Sequence, residues 1–308
     1  MPVEISVIIP LYNKEEFIER TLRSVASQDI HNWECIIIDD GSTDSSLKKV
    51  REFTNNHPGN WRVIEQVNSG QARARNHGVE IAEGKYLAFL DADDLWPADK
   101  LRLQFNALEN DTEAVLALSA FAIFRGHRSV PRVVRHMNPQ KMNFKWLLMN
   151  GFGGGLESVG MIRGSSVPKN ELFDSSLSTS SGLDLSLRMA VIGKILLLPQ
   201  IGLYYRLSEG QWHGDSSELG KNLSLLCNRY QGAFKANLTS SHAAYLFWLS
   251  ARGFGKKYVL MEAFKSMFTL HDKRFHMLAS LIIRNVSSKL RGLVMQRQTL
   301  AAINSLDS

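Results

Sequence analysis

Short, continuous apolar runs alternate with amphipathic stretches along the first hundred residues. ISVIIPL (5–11), WECIII (33–38), WRVIEQ (61–66) and KYLAFL (85–90) are rich in β-branched and aromatic residues and have strand length. Between them, KEEFIERTLRSVASQ spaces Phe17, Leu22 and Val25 among charges, and STDSSLKKVREFTNN and SGQARARNHGVEIA also read as helices. Strands that are apolar on both faces and separated by helices predict a parallel sheet covered on both sides. The second half has another texture. GFGGGLESVGMIRGSS predicts a glycine-rich loop and a short strand, SSGLDLSLRMAVIG a helix, and KILLLPQIGLYYRL a pair of apolar strands. From about Ser216 the chain reads as mostly helical: Leu260, Ala263, Phe264, Met267 and Phe268 share one face, and Leu278, Leu281, Ile282, Val286 and Leu293 another.

Ligands of parallel sheets bind outside the carboxyl ends of the strands. Four polar clusters fall there: Pro10–Asn13, Asp39–Ser42, Asn68–Gly70 and Asp91–Asp94. The last is the sharpest, because FLDADDL sets three carboxylates directly after a buried run. No G-x-G-x-x-G follows the first strand, and GVEIAEGKY has the wrong spacing for a phosphate loop with no Ser or Thr after Lys85. Phosphates are therefore expected to be neutralised by a divalent cation, Mn²⁺ or Mg²⁺, on Asp91 and Asp93, since these hard ions share their shell between carboxylates and substrate phosphate. Asp94, before LWPADKL, reads as a turn residue or helix cap, and Asp39 as the Asx-turn residue before Gly41.

Composition narrows the class. Of 308 residues 44% are hydrophobic and 21% charged, the profile of a globular chain. The N-terminal stretch lacks the basic flank and apolar core of a signal peptide, and no apolar run reaches the ~20 residues of a membrane span. Two cysteines, Cys35 and Cys227, suggest a reducing compartment, so the expected location is cytoplasmic. The net charge of +6 resides at the C-terminus, where residues 251–308 hold ten Lys/Arg against three Asp/Glu. Lys273, Arg274, Arg284, Lys289, Arg291 and Arg297 border the apolar helical face. That pattern fits peripheral binding to an anionic membrane surface. It equally fits packing or a homodimer with the charges solvated; no nucleic-acid motif is present.

SVIIPLYNKEEFIERTLRSVASQ, IIIDDGSTDSS and NSGQARARNHGVEIAEGKYLAFLDADD together resemble the successive motifs of the family 2 glycosyltransferases. The likeness continues more loosely to about residue 206. It implies a GT-A fold, an α/β architecture with a mostly parallel, Rossmann-like central sheet and helices on both faces, here with a C-terminal helical extension. The expected division is a catalytic domain over 1–215, with a nucleotide-binding half (1–95) and an acceptor half (96–215), followed by a basic helical region, 216–308. The resemblance implies inverting transfer from a nucleotide-diphosphate sugar, with UDP the expected nucleotide, to a hydroxyl of a glycan or lipid-linked glycan, in surface polysaccharide or lipopolysaccharide synthesis. Carried over by position, Pro10 and Tyr12 would line the nucleoside pocket, with Tyr12 on the base. Asp40 would accept from the base imide, and Arg75 would lie near the diphosphate, with the neighbouring Arg73 solvated. Asp91 would bind ribose or support the metal, and Asp93 would ligate it. The family's base belongs to a Glu-Asp pair, reduced here to Leu183–Asp184, so Asp184 is the expected base unless it serves only as an acid at a helix N-terminus. Asp174 is read as structural, and His213 as a metal ligand or phosphate clamp from a closing loop. Two other classes stay open: a nucleotide-sugar-binding module weakened in catalysis, and a metal-dependent nucleotidyltransferase or hydrolase.

Overall fold

A computed structural model describes residues 2–125, 133–135, 156–177 and 181–207, together with Asn222, Leu225, Leu226 and Arg229. In chain order the elements are β1 (Ile5–Leu11), α1 (Ile18–Ala26), β2 (Trp33–Asp39), α2 (Ser46–Asn56), β3 (Trp61–Glu65), α3 (Gln71–Glu80) and β4 (Tyr86–Phe89). Then come α4 (Lys100–Asn110), β5 (Ala114–Arg125), β6 (Val133–Arg135), α5 (Leu156–Val159), β7 (Gly160–Arg163), α6 (Ser181–Ile192) and β8 (Lys194–Leu207). The chain divides into two compact units, 1–147 with 151–214 and 148–150 with 215–308. In the second unit the four described residues are helical; the amphipathic faces expected after Ser216, and their basic border, lie outside the described residues.

The first unit is built on one sheet of order β3-β2-β1-β4-β7-β5-β6, with β8 joined to β5. β1 pairs in parallel with β2 and β4, β2 with β3, and β5 with β8, while β7 is antiparallel to both β4 and β5. The sheet is thus mixed but mostly parallel, as the uninterrupted apolar strands require. All seven residues of β1 and of β2 are buried, whereas the edge strand β3 is only partly covered. β1–α1–β2 and β2–α2–β3 move outward in one direction, and β3–α3–β4 returns past β1. Right-handed crossovers therefore set α1 and α2 on one face and α3 on the other. The reversal makes the gap between β1 and β4 the switch point of the sheet, where a crevice opens at the carboxyl ends.

Pro10 helps to open it. Pro10 lies inside β1, opposite Ile38, rather than beyond the strand end. The β1–β4 register stops at Ile8–Phe89, and the last link is Leu90 N–H donating to Ile8 O at 3.1 Å. A proline has no N–H to extend the ladder, so β4 is free to leave the sheet at Asp91.

The expected strand pair at 194–207 is a single strand. Ser119 faces Leu198 but Ala120 faces Ile201, so Pro199 and Gln200 bulge out of the register and pairing resumes beyond them. A proline is tolerated at a bulge because no ladder hydrogen bond is asked of it there.

Candidate functional site

The three aspartates after β4 have three different neighbours, which is how the chain bears their mutual repulsion. Asp91 Oδ1 accepts from Arg75 Nη2 at 2.6 Å and from Gln71 Nε2 at 3.0 Å. Asp93 Oδ2 accepts from the Lys14 ammonium at 2.7 Å. Asp94 is fully buried, and its Oδ1 accepts from the backbone N–H of Arg206 on β8 at 2.8 Å. Burial, followed by the neighbouring charges of Asp93 and Asp91, holds the Asp94 carboxyl well above the usual carboxylate range. Asp94 caps no helix: α4 starts only at Lys100, and the side chain fastens the turn to β8 instead.

The backbone of this turn is fixed from several directions. The buried Thr21 hydroxyl of α1 lies 3.0 Å from Ala92 O and 2.9 Å from Asp94 O, and Arg206 Nε donates to Asp93 O at 2.7 Å. The Arg206 guanidinium is sandwiched between Phe17 and Phe124, at 4.7 and 4.5 Å from the ring centres. Leu95 and Tyr204 exchange backbone hydrogen bonds of 3.2 and 2.8 Å. The carboxylates are held in place before any ligand arrives.

The other clusters converge on the same rim. Tyr12, just past β1, leaves 47% of its surface exposed, an uncommitted aromatic face. Asn13 follows at φ +50°, a left-handed turn that asparagine accepts, and its Oδ1 takes the Thr43 N–H at 2.8 Å. Lys14 N–H donates to Ser46 Oγ at 2.7 Å, so the loop after β1 is laced to the loop after β2. Asp39 accepts the Ser42 N–H at 3.3 Å, the expected Asx geometry, and its buried Oδ1 has no hydrogen-bond partner. Asp40 is already engaged. Its Oδ1 accepts from Gln66 Nε2 at 2.7 Å and Ser69 N at 2.8 Å, and its Oδ2 from Gly70 N at 2.9 Å. It pins the 66–70 loop, and Gly70 takes φ +93° at the entry to α3.

Arg73 is exposed while Arg75 is buried. Arg75 bridges Asp91 and Glu157, whose Oε1 is 3.3 Å from Nη1, and its guanidinium stacks 5.2 Å from the Phe173 ring centre. Burial opposes its charge, but the two carboxylates outweigh burial and raise its pKa. In this arrangement Arg75 neutralises the rim's own carboxylates. Asp184 lies on α6, 1% exposed, with Oδ2 accepting from Arg188 Nε at 2.8 Å, one turn on. Asp174 accepts from Ser176 N and Oγ at 2.8 and 2.6 Å, a local turn. His213 and the GFGGG loop lie outside the described residues. Among the described residues no three His, Cys, Asp or Glu side chains form a ready metal cage, and none of their helices is long and apolar enough to cross a membrane.

Sequence reasoning brought Tyr12, Asp39, Asp40, Arg75, Asp91 and Asp93 to this rim but missed Lys14, Glu157 and Arg206. Lys14 stood in view, two residues past Tyr12. Glu157 and Arg206 reach the site through β7 and β8, and only the strand pairing reveals that.

A family model described as glycosyl transferase family 2 matches residues 6–163, half of the chain. The chain belongs to that family. Among similar proteins, this family 2 chain is 33% identical over 146 residues to an Escherichia coli protein named UDP-Glc:alpha-D-GlcNAc-diphosphoundecaprenol beta-1,3-glucosyltransferase WfgD, covering 47% of this chain and 55% of WfgD. It is 44% identical over 100 residues to the putative teichuronic acid biosynthesis glycosyltransferase TuaG of Bacillus subtilis, 32% of this chain and 40% of TuaG. The uncharacterized glycosyltransferase YibD of Escherichia coli is 42% identical over 111 residues, 36% and 32% of the two chains. The matches thus span about a third to a half of the relatives' lengths. The solved structure of residues 1–349 of TarS from S. aureus superposes with a TM-score of 0.63 at 22% identity, covering 79% of this chain and 70% of that fragment. The mannosyltransferase PcManGT of Pyrobaculum calidifontis, solved with GDP-Man and Mn²⁺, gives 0.52 at 17% identity, covering 94% and 87%. The fold of this family 2 chain is of the GT-A type.

Proposed function

We propose that this chain is an inverting, metal-dependent glycosyltransferase that moves a sugar from a nucleotide-diphosphate donor to a hydroxyl of a glycan or lipid-linked glycan. The observation that carries the reading is the convergence of Asp91, Asp93, Tyr12 and Arg75 on the crevice between β1 and β4. Exposed Tyr12 offers a stacking face to a base, and Pro10, two residues earlier and buried in β1, would line the same pocket. Asp40 serves the same pocket by holding the 66–70 loop, and it reads the base only by sharing or giving up those bonds. Asp91, still 20% exposed beside Arg75, is placed for a ribose hydroxyl or the metal's outer shell.

The residues fit a divalent cation. Asp93 Oδ2 already attracts a cation, the Lys14 ammonium at 2.7 Å, and one or two carboxylates suffice when a diphosphate completes the shell. Asp93 would hold Mn²⁺ or Mg²⁺, with Asp91 behind it. A metal bound there supplies positive charge for the departing diphosphate. A cation on Asp93 would take the place of the Lys14 ammonium, which would then be available to a phosphate oxygen. UDP is the favoured nucleotide because WfgD is named for UDP-Glc and TarS has been solved with UDP-GlcNAc. The names of WfgD and TuaG favour an acceptor in cell-surface polysaccharide assembly, which this chain would meet at the inner face of the membrane. The basic C-terminal residues would make that contact. The catalytic domain would run to about residue 215 and the helical region from 216 to 308.

Nucleotide release from UDP-glucose, UDP-N-acetylglucosamine and GDP-mannose, measured with Mn²⁺ and with EDTA, tests the reading. One donor is expected to turn over only with metal, and Asp93→Ala to slow it by about a hundredfold or more. Release that ignores both EDTA and Asp93 would rule the mechanism out. Sugar phosphate, rather than nucleoside diphosphate, as the product would point to the hydrolase class.

A further inference from the structure

The acceptor hydroxyl needs a proton acceptor, and Asp184 is poorly placed to be one. It is 1% exposed and turned toward Arg188, whose guanidinium also donates to Leu172 O. A different carboxylate stands at the rim. β7 runs antiparallel to β4, with Met161 opposite Ala88, so the residues just before β7 lie beside those just after β4. Asp91 N–H accordingly donates to Ser158 Oγ at 3.1 Å, and Glu157 shares Arg75 with Asp91. Among the described carboxylates beyond residue 95, Glu157 is the one joined to the Arg75–Asp91 pair. The others with hydrogen bonds go elsewhere: Glu109 to Lys85, Asp111 to Lys194 at 2.5 Å, Asp174 to Ser176 and Asp184 to Arg188.

Gly182, in the first turn of α6, is the second observation. A Cβ built there would lie 1.9 Å from Glu157 Oε1 and 2.1 Å from its Cδ. Gly182 is not among the glycines with positive φ, so its lack of a side chain serves space and not backbone conformation. Any larger residue at 182 would have to occupy the volume that the Glu157 carboxylate fills. Helix α6 yields its first turn to a carboxylate that arrives from the opposite side.

We propose that Glu157 is the general base of the transfer, a role that rests on the glycosyltransferase reading above. The acceptor hydroxyl gives its proton to the Glu157 carboxylate as its oxygen bonds to C1 of the donor sugar. The C1–oxygen bond to the diphosphate breaks, and its electron pair leaves on the diphosphate oxygen. Arg75 orients Glu157 and keeps two adjacent carboxylates, Glu157 and Asp91, compatible.

The test uses the full chain and whichever of UDP-glucose, UDP-N-acetylglucosamine or GDP-mannose it turns over, reading kcat, donor KM and the affinity for the matching nucleoside diphosphate (UDP below). Glu157→Gln keeps the shape and the contact to Arg75, and should lower kcat by about a hundredfold or more while UDP affinity and donor KM stay within about threefold. Glu157→Ala should be as slow. Glu157→Ala with Gly182→Asp, which returns a carboxylate to the same volume from α6, should recover at least about tenfold of that loss. Glu157→Gln turning over at the wild-type rate overturns the proposal. So does a parallel loss of UDP affinity and kcat, which would make Glu157 a prop for Arg75. A wild-type chain that binds neither UDP nor GDP sinks the transferase reading itself and this inference with it.

Discussion

Charge is settled one residue at a time in this molecule. Glu34, on the buried strand β2, is fully buried and accepts from Ser6 Oγ at 2.6 Å, Glu83 N at 2.7 Å and Arg62 Nη1 at 2.8 Å. One carboxylate thereby links β1, β2, β3 and the turn before β4. Burial works to raise its pKa, but the donated hydrogen bonds and Arg62 prevail, and it lies below the usual carboxylate value. A carboxylate with a lowered folded-state pKa adds stability above its unfolded value, and that stability is lost as pH falls through the folded value. Glu34→Gln should therefore cost about 1–3 kcal/mol at pH 7 in urea unfolding. The gap to wild type should close as the pH drops below about 4. An equal gap at both pH values would show that only shape, not charge, matters at this position.

At the scale of elements, the functional turn depends on helices and strands packed behind it. Thr21 on α1 is buried, with its hydroxyl within 3.0 Å of the carbonyls of Ala92 and Asp94. Thr21→Val conserves shape but leaves a buried carbonyl unsatisfied, and should cost about 1–3 kcal/mol in urea unfolding. Because the lost bond ends in the aspartate turn, the extra stabilisation by UDP with Mn²⁺ should shrink too. Stability lost with ligand stabilisation intact would detach α1 from the site. The strands β1 to β4 and the helices between them could be read from the sequence, because the buried strands β1, β2 and β4 are written as mostly apolar runs and the half-covered edge strand β3 keeps the β-branched Val63 and Ile64. β8 could not be divided correctly. Pro199 looks like a break, and only the shift of register against β5 turns it into a bulge.

For the whole molecule, the site is a consequence of topology. The reversal of strand order at β1 and β4 opens one crevice, and the loops after β1, β2 and β4 all end there. Those loops are local in sequence, so the polar clusters around Tyr12, Asp40, Asp91 and Asp93 could be placed at the strand ends, and the family resemblance singled out Tyr12 and Asp40 within them. Glu157 and Arg206 come from more than sixty positions away through β7 and β8, and no local spacing announces them. Asp184, carried over as the base by the resemblance, is 1% exposed and held by Arg188, and local spacing does not tell such a buried acid from an accessible one. The central claim is that the rim binds a nucleoside diphosphate through a cation on Asp93. Thermal unfolding of wild type and Asp93→Ala with UDP, in Mn²⁺ and then in EDTA, tests it most directly. The account predicts a rise in Tm for wild type with UDP and Mn²⁺ together, absent in EDTA and absent in Asp93→Ala. An equal rise in all of these conditions, or none in any, would contradict it.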